Sequence, residues 1–166
     1  MQLIKLWEAD LEKAFDLYQQ FDEDENGFMN EAYGISNEEF PNFVQRRKDN
    51  SYGINMRPGR AKSTDYILED NGLYVGIFKL RHYLNDALRS GAGHIGFGIV
   101  EKYRNQGYAS KGLGLMIDIA KTIVPEEELY MACYKTNEAS LKIQMKHGAY
   151  IHHEDEEEFY TRIKIK

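Results

Sequence analysis

The chain has 166 residues, 42% of them hydrophobic and 29% charged, and a net charge of −6. That is enough for one domain with a real core, here residues 1–166, and the balance is ordinary for a globular protein. The negative charge argues against bulk nucleic-acid binding, and no apolar run approaches the ~20 residues a membrane helix needs, so neither partner is expected.

The N-terminal stretch MQLIKLWEADLEK is short and alternating in its apolar residues, with acids following at once, so it is not read as a signal peptide. The single cysteine, Cys133, can form no internal disulfide. A reducing, cytoplasmic setting is the expectation.

In chain order, QLIKLWE alternates as a first strand. From Ala9 to Phe21 the residues Leu11, Ala14, Phe15, Tyr18 and Phe21 fall at helical spacing. Ser36 or Asn37 suits the cap of a second helix, with Pro41 in its first turn and Phe40, Phe43 and Val44 on its buried face. Residues 50–64 have the composition of a long loop.

Six further stretches read as strands: DYILED, GLYVGIFKLRHY, GHIGFGIV, LYMACY, AYIHHE and FYTRIKIK. Two helices interrupt them. One starts near Tyr108 with a stripe of Ala109, Leu113, Met116, Ala120 and Ile123. The other runs from a cap at Asn137 to a stop at Gly148. The order β-α-α-β-β-β-α-β-α-β-β gives an α+β domain, mixed and mostly antiparallel.

Two motifs are decoys. GAGHIG (91–96) has the spacing of a dinucleotide fingerprint but leads into a strand, where that motif requires a helix. DEDENG (22–27) opens like a calcium loop, but its twelfth position is Tyr33 where a bidentate glutamate is needed, so a polar turn is expected. The acidic runs at 22–25 and 154–158 read as solvated turns, and His152 and His153 as exposed residues with no metal.

YRNQGYASKG (103–112) lies between a strand and a helix. First-turn N–H groups of a helix have no internal partner and favour anions. Gly107 and the small Ala109 leave the backbone accessible, and Arg104 adds positive charge at the edge. Two readings stand: a phosphate or pyrophosphate cradle, or a plain glycine-containing turn.

Arg104, Gly107 and Ala109 match the Arg/Gln-x-x-Gly-x-Gly/Ala motif of the GNAT superfamily of acyl-CoA-dependent N-acetyltransferases. Asn137, Ser140 and Gly148 resemble its Asn-x-x-Ala/Ser…Gly pattern. RHYLN (81–85) also resembles a bacterial branch of predicted acetyltransferases. The resemblance implies a GNAT-like fold, with a central, twisted, mostly antiparallel sheet of about seven strands and about four helices.

It also implies an acetyl-CoA site. The diphosphate would lie on the backbone of Gln106, Gly107, Tyr108, Ala109 and Ser110, with Arg104 and Asn105 also counted among the coenzyme-binding residues. The pantetheine arm would pair with the strand ending Phe97, Ile99 and Val100, where the fourth and fifth strands diverge. Asn137 and Ser140 would flank that arm, and Lys146 or Lys142 would meet a phosphate.

Acetyl transfer to an amine needs loss of a proton from nitrogen, a donor for the oxyanion, and stabilisation of the departing thiolate. In the family a tyrosine on the helix after the fifth strand often serves the thiolate. Here that place holds Gln144, which cannot donate a proton, so Tyr134 is the first substitute, with Ser140 or a bound water as alternatives.

His82 is the candidate base, with Arg81 and Asn85 as acceptor-binding residues; His94 and Glu101 are second choices. Arg81 suits an acceptor carboxylate, as in an amino acid. Cys133 is weighed as an acyl carrier and set below a buried structural role.

The expected activity is direct transfer of an acetyl group to a primary amine of a small molecule or peptide. A CoA-binding sensor without turnover, which Gln144 makes conceivable, and an unrelated phosphate-ligand module are the alternatives. The sequence leaves the oligomeric state open, a homodimer included.

Overall fold

A computed structural model describes residues 1–166. Strand β1 (Gln2–Lys5) leads through a 3-10 turn to helix α1 (Leu11–Tyr18). Asp10 caps α1 by accepting the Lys13 N–H at 3.0 Å, and Ala14, Leu17 and Tyr18 are its buried face.

The acidic stretch that follows is more than a polar turn. It forms a ribbon, β2 (Asp24–Glu25) and β3 (Phe28–Met29), with Asn26 and Gly27 at the tip at φ 52° and 92°. Asn-Gly is the pair that such a two-residue hairpin favours. Helix α2 (Phe40–Tyr52) has Pro41 in its first turn and buries Phe40, Phe43 and Val44 as expected. Ser36 and Glu39 exchange hydrogen bonds ahead of it, Ser36 N–H to Glu39 Oε2 at 2.9 Å and Glu39 N–H to Ser36 Oγ at 3.3 Å. The expected loop 50–64 is shorter, because α2 continues to Tyr52 and β4 (Ser63–Asp70) begins at Ser63.

Next come β5 (Leu73–Arg81), a one-turn helix α3 (Asp86–Arg89), β6 (Ile95–Ile99) and the long helix α4 (Tyr108–Ile123). The chain closes with β7 (Glu128–Tyr134), α5 (Glu138–Lys146), β8 (Tyr150–Glu154) and β9 (Glu158–Lys164). The seven main strands divide into two sheets, β1-β4-β5-β6 and β7-β9-β8, and every ladder is antiparallel.

Alternate residues of the larger sheet serve two cores. Ile67 and Ile77 pack against α1 and α2, together with Phe21, Phe40 and Phe43. Leu68, Phe78 and Leu80 pack against α4 through Leu113, Met116 and Ala120. Full burial of a Leu or Met side chain contributes about 1.5–3 kcal/mol, so this stripe fixes the helix on the sheet. Ile123 departs from the expected stripe and stays exposed, while Ile117 is buried. The clean alternation of the last strand does not give it a wet face. As the middle strand of its sheet β9 is covered on both sides, and the Arg162 guanidinium lies 3.5 Å from the Tyr130 ring centre.

Candidate active site

The two sheets touch at one point and then part. The His94 N–H donates to Tyr130 O at 2.7 Å, and the Tyr130 N–H donates to His94 Nδ1 at 2.9 Å. Gly93 bridges Met131 beside them, with so little room that a Cβ on Gly93 would stand 2.1 Å from Tyr130 O. From this pin β6 and β7 run side by side and spread.

The β5–β6 ladder shows which backbone groups face the gap. Arg81 N–H reaches His94 O and Val100 N–H reaches Val75 O, so the even-numbered residues of β6 pair with β5. Ile95, Phe97 and Ile99 therefore turn their N–H and C=O groups toward the gap. Of the expected pairing residues, Phe97 and Ile99 have their backbone there; Val100 is bonded into the sheet and its side chain is buried.

At the open end of β6 the chain enters α4. Asn105 and Gly107 take left-handed conformations, φ 60° and 84°, and Gly107 stands at the N-cap with no side chain capping the helix. The N–H groups of Asn105 through Ser110 donate to no oxygen of the chain. Beyond its own chain neighbours, no atom lies within 4 Å of where a Cβ on Gly107 would be. Six free amides around an open helix start fit the diphosphate of a nucleotide coenzyme, and the unpaired edge of β6 fits its amide-bearing arm.

Residues 2–150 match the acetyltransferase (GNAT) domain family. The chain belongs to this family. It thereby carries an acetyltransferase domain, as the motifs implied. No curated protein matches the sequence. Solved structures share the fold at low identity. The N-acetyltransferase PseH of Campylobacter jejuni, in complex with acetyl coenzyme A, superposes with a TM-score of 0.60 at 16% identity over 98% of this chain and 97% of that one. RimJ of Mycobacterium smegmatis, in complex with CoA-disulfide, gives 0.66 at 16% over 94% and 79%. A chimera of the spermidine N-acetyltransferase SpeG of Vibrio cholerae and hSSAT gives 0.62 at 16% over 99% and 95%.

Within this GNAT domain several expected coenzyme residues have their side chains engaged by the protein. Arg104 bonds Ile99 O at 3.0 Å and Glu25 Oε1 at 2.6 Å, so it straps the β2–β3 ribbon to the gap. Asn137 caps α5 by accepting the Ser140 N–H at 3.1 Å. Ser140 Oγ accepts from Gln144. Ser110 Oγ lies 3.1 Å from His147 Nε2, which brings the C-terminal end of α5, with exposed Lys146, beside the first turn of α4. Lys142 pairs with Glu138 on the outer face of α5. The sequence reading missed His147 because its role depends on how two helices pack.

The catalytic candidates separate. Tyr134 ends β7 at the mouth of the gap, its ring against Gly27 and its hydroxyl 3.5 Å from Asp24 Oδ2. The negative charge of Asp24, helped by partial burial and Glu158, raises its pKa, so the phenol stays protonated at neutral pH. His82 does not reach the gap: its Nε2 bonds Thr64 Oγ1 at 2.8 Å, on the β4 side of β5, away from β6. Burial, with nearby Lys62, lowers its pKa. His94 is fully buried at the pin, with Nε2 3.2 Å from Glu126.

Gln144, at the usual tyrosine place, faces the sheet instead. It is buried and accepts from Thr161 Oγ1 at 2.5 Å. Cys133 beside it is also buried, and burial, with Glu158 nearby, pushes its thiol up to about 11, which favours the thiol over the thiolate at neutral pH.

Arg81 and Asn85 come together on the wall of a cavity of about 230 Å³, on the sheet face that carries α2. The same wall holds a charge cluster absent from the sequence reading. Arg47 is bonded to Asp65, to Glu31 at 2.8 Å and to Ser63 at 3.0 Å, and Lys79 pairs with Glu31 at 3.0 Å. Burial pushes the carboxyls of Asp65 and Glu31 up, but Arg47 and Lys79 more than reverse it, leaving both below their usual range. A signal existed: Asp65 and Lys79 each adjoin the apolar run of a strand, residues 66–68 and 75–78.

Proposed function

We propose that the chain transfers an acetyl group from acetyl-CoA directly to the primary amine of a small molecule or peptide. The observation that carries this reading is the run of six unbonded amides, Asn105 to Ser110, next to an unpaired strand edge that opens from the pin. Gln106 to Ser110 would hold the diphosphate, with Lys146 at the side. The turned-out backbone of Phe97 and Ile99 would hold the arm and offer an N–H to the acyl oxygen. Bound acetyl-CoA supplies the thioester carbonyl that the amine attacks.

Tyr134 would serve the sulfur. Its hydroxyl, protonated at neutral pH, donates a hydrogen bond to the departing thiolate. His82 is turned toward Thr64 and is left without a part in this reading. The ammonium gives one proton to water before attack, the new C–N bond replaces the C–S bond, and the second proton lost from nitrogen reaches the sulfur by way of the Tyr134 hydroxyl, so that CoA leaves as the thiol.

Thiol release from acetyl-CoA with a panel of primary amines tests the reading. Turnover with at least one amine, and a Tyr134→Phe variant in which kcat falls ten- to a hundredfold at unchanged KM for acetyl-CoA, is the expected result. Tight binding of acetyl-CoA without turnover across the panel would favour the sensor reading.

A further inference from the structure

The cavity beneath Arg81 has an uneven charge balance. Inside the cluster two anions, Glu31 and Asp65, face two cations, Arg47 and Lys79, and all four are paired. Two more cations line the same cavity. Arg81 is half-buried, its guanidinium meets one carbonyl, Gly93 O at 3.2 Å, and no carboxylate pairs with it. Arg60 has no ion-pair or side-chain hydrogen-bond partner. The lining therefore carries two cations without a bonded carboxylate, Arg81 half-buried and Arg60 exposed to solvent, in a chain whose net charge is −6.

Asn50 is also among the lining residues, and its Oδ1, closed off from solvent, receives no hydrogen bond from the chain. Asn85 is committed, with Nδ2 on Gly59 O at 2.8 Å and Oδ1 on the Leu88 N–H at 2.8 Å, so it shapes the wall. The cavity also adjoins the gap: Lys79 pairs in register with Gly96 of β6, and Arg81 bonds Gly93 at the pin.

We infer that this cavity is the acceptor site, and that the acceptor is a small amine carrying its own anionic group, a carboxylate or a phosphate, which Arg81 and Arg60 hold. This deepens the transferase reading and rests on it for the acetylation step. A polyamine is disfavoured, because it would set further cations against Arg81 with no free carboxylate to receive them. Burial of the Arg81 guanidinium depresses its pKa, which nearby Glu31 and Asp65 offset only in part, and a bound anion would reduce that penalty further. The volume, about 230 Å³, suits a single amino-acid-sized molecule.

The test uses matched pairs that differ by one carboxyl: 5-aminopentanoate against butylamine, and lysine against cadaverine, with phosphoethanolamine as the phosphate arm. Calorimetry measures binding to the full chain with and without CoA, and thiol release measures turnover. The expected result is that the carboxylates, the phosphate, or both bind at least tenfold more tightly than the carboxyl-free partners. Arg81→Gln should abolish that preference, mainly through KM for the amine, and Arg81→Lys should restore part of it. Should Arg81→Gln fail to fold, Arg60→Gln is expected to reduce the preference severalfold. Equal or tighter binding of butylamine and cadaverine, or a preference untouched by both variants, overturns the inference. Failure of CoA to bind would sink the transferase reading and leave the anion comparison readable in the CoA-free chain.

Discussion

His94 and Tyr130 bind each other twice: the backbone N–H of each donates to the other residue, one to a carbonyl and one to an imidazole nitrogen. This is where the two sheets are fastened, and it fixes where the gap begins. His94→Ala would leave the Tyr130 N–H unpaired in a buried site and take a partner from Glu126. Loss of about 1–3 kcal/mol in urea denaturation is expected, together with weaker CoA binding by calorimetry. Full stability with normal CoA affinity would show that the pin is dispensable.

The same residue predicts a pH dependence. Burial holds the pKa of His94 below its ordinary 6.5, and His82 shifts the same way. As pH falls below about 6.5 the unfolded chain takes up these protons first, so folding is opposed. Stability is full above that pH and declines as pH drops through the lower, folded values. The slope is at most about 1.4 kcal/mol per pH unit for each histidine. Thermal unfolding midpoints between pH 8 and pH 5 should fall on the acid side, and less steeply in His82→Gln.

At the helix start, Gly107→Asp should weaken CoA binding at least tenfold. A side chain at φ 84° is strained, and a carboxylate there would occupy the free amides and repel phosphate. Unchanged affinity by calorimetry would empty the cradle of its assigned ligand.

Gln144→Ala is expected to act on folding. The side chain is 1% exposed and joins Ser140 to Thr161, so its removal leaves a buried hydroxyl unpaired beside a void. About 2–4 kcal/mol should be lost in urea denaturation, with KM for acetyl-CoA unchanged at a temperature where the variant is folded. A large loss of kcat in the folded variant would return Gln144 to the chemistry.

Asp65→Asn should cost about 3–5 kcal/mol, because Arg47 is left buried with its main counter-charge gone. Replacing both residues with apolar ones of similar size should recover much of that loss in the same urea assay.

Much of this was legible in the sequence, for physical reasons. The stripe of α4 and the caps of α5 are local patterns, and local patterns fix helices. The free amides were readable because a glycine before a helix announces its own backbone. What the sequence hid was relational. That Arg104 grips Glu25, that His82 turns to Thr64, and that Glu31 joins Arg47 all depend on which distant segments the fold brings together. Gln144 was legible as an odd residue at the tyrosine place but not as a core residue, since a buried amide looks exposed until its partners are known.

The β2–β3 ribbon ties Arg104, just past one strand of the opening, to Glu25, and touches Tyr134, on the other strand, through Gly27. Its six residues act as a gauge block between the walls. Lengthening or shortening that hairpin would thus reset the spacing of the walls and, through Arg104, the approach of the chain to the amide cradle.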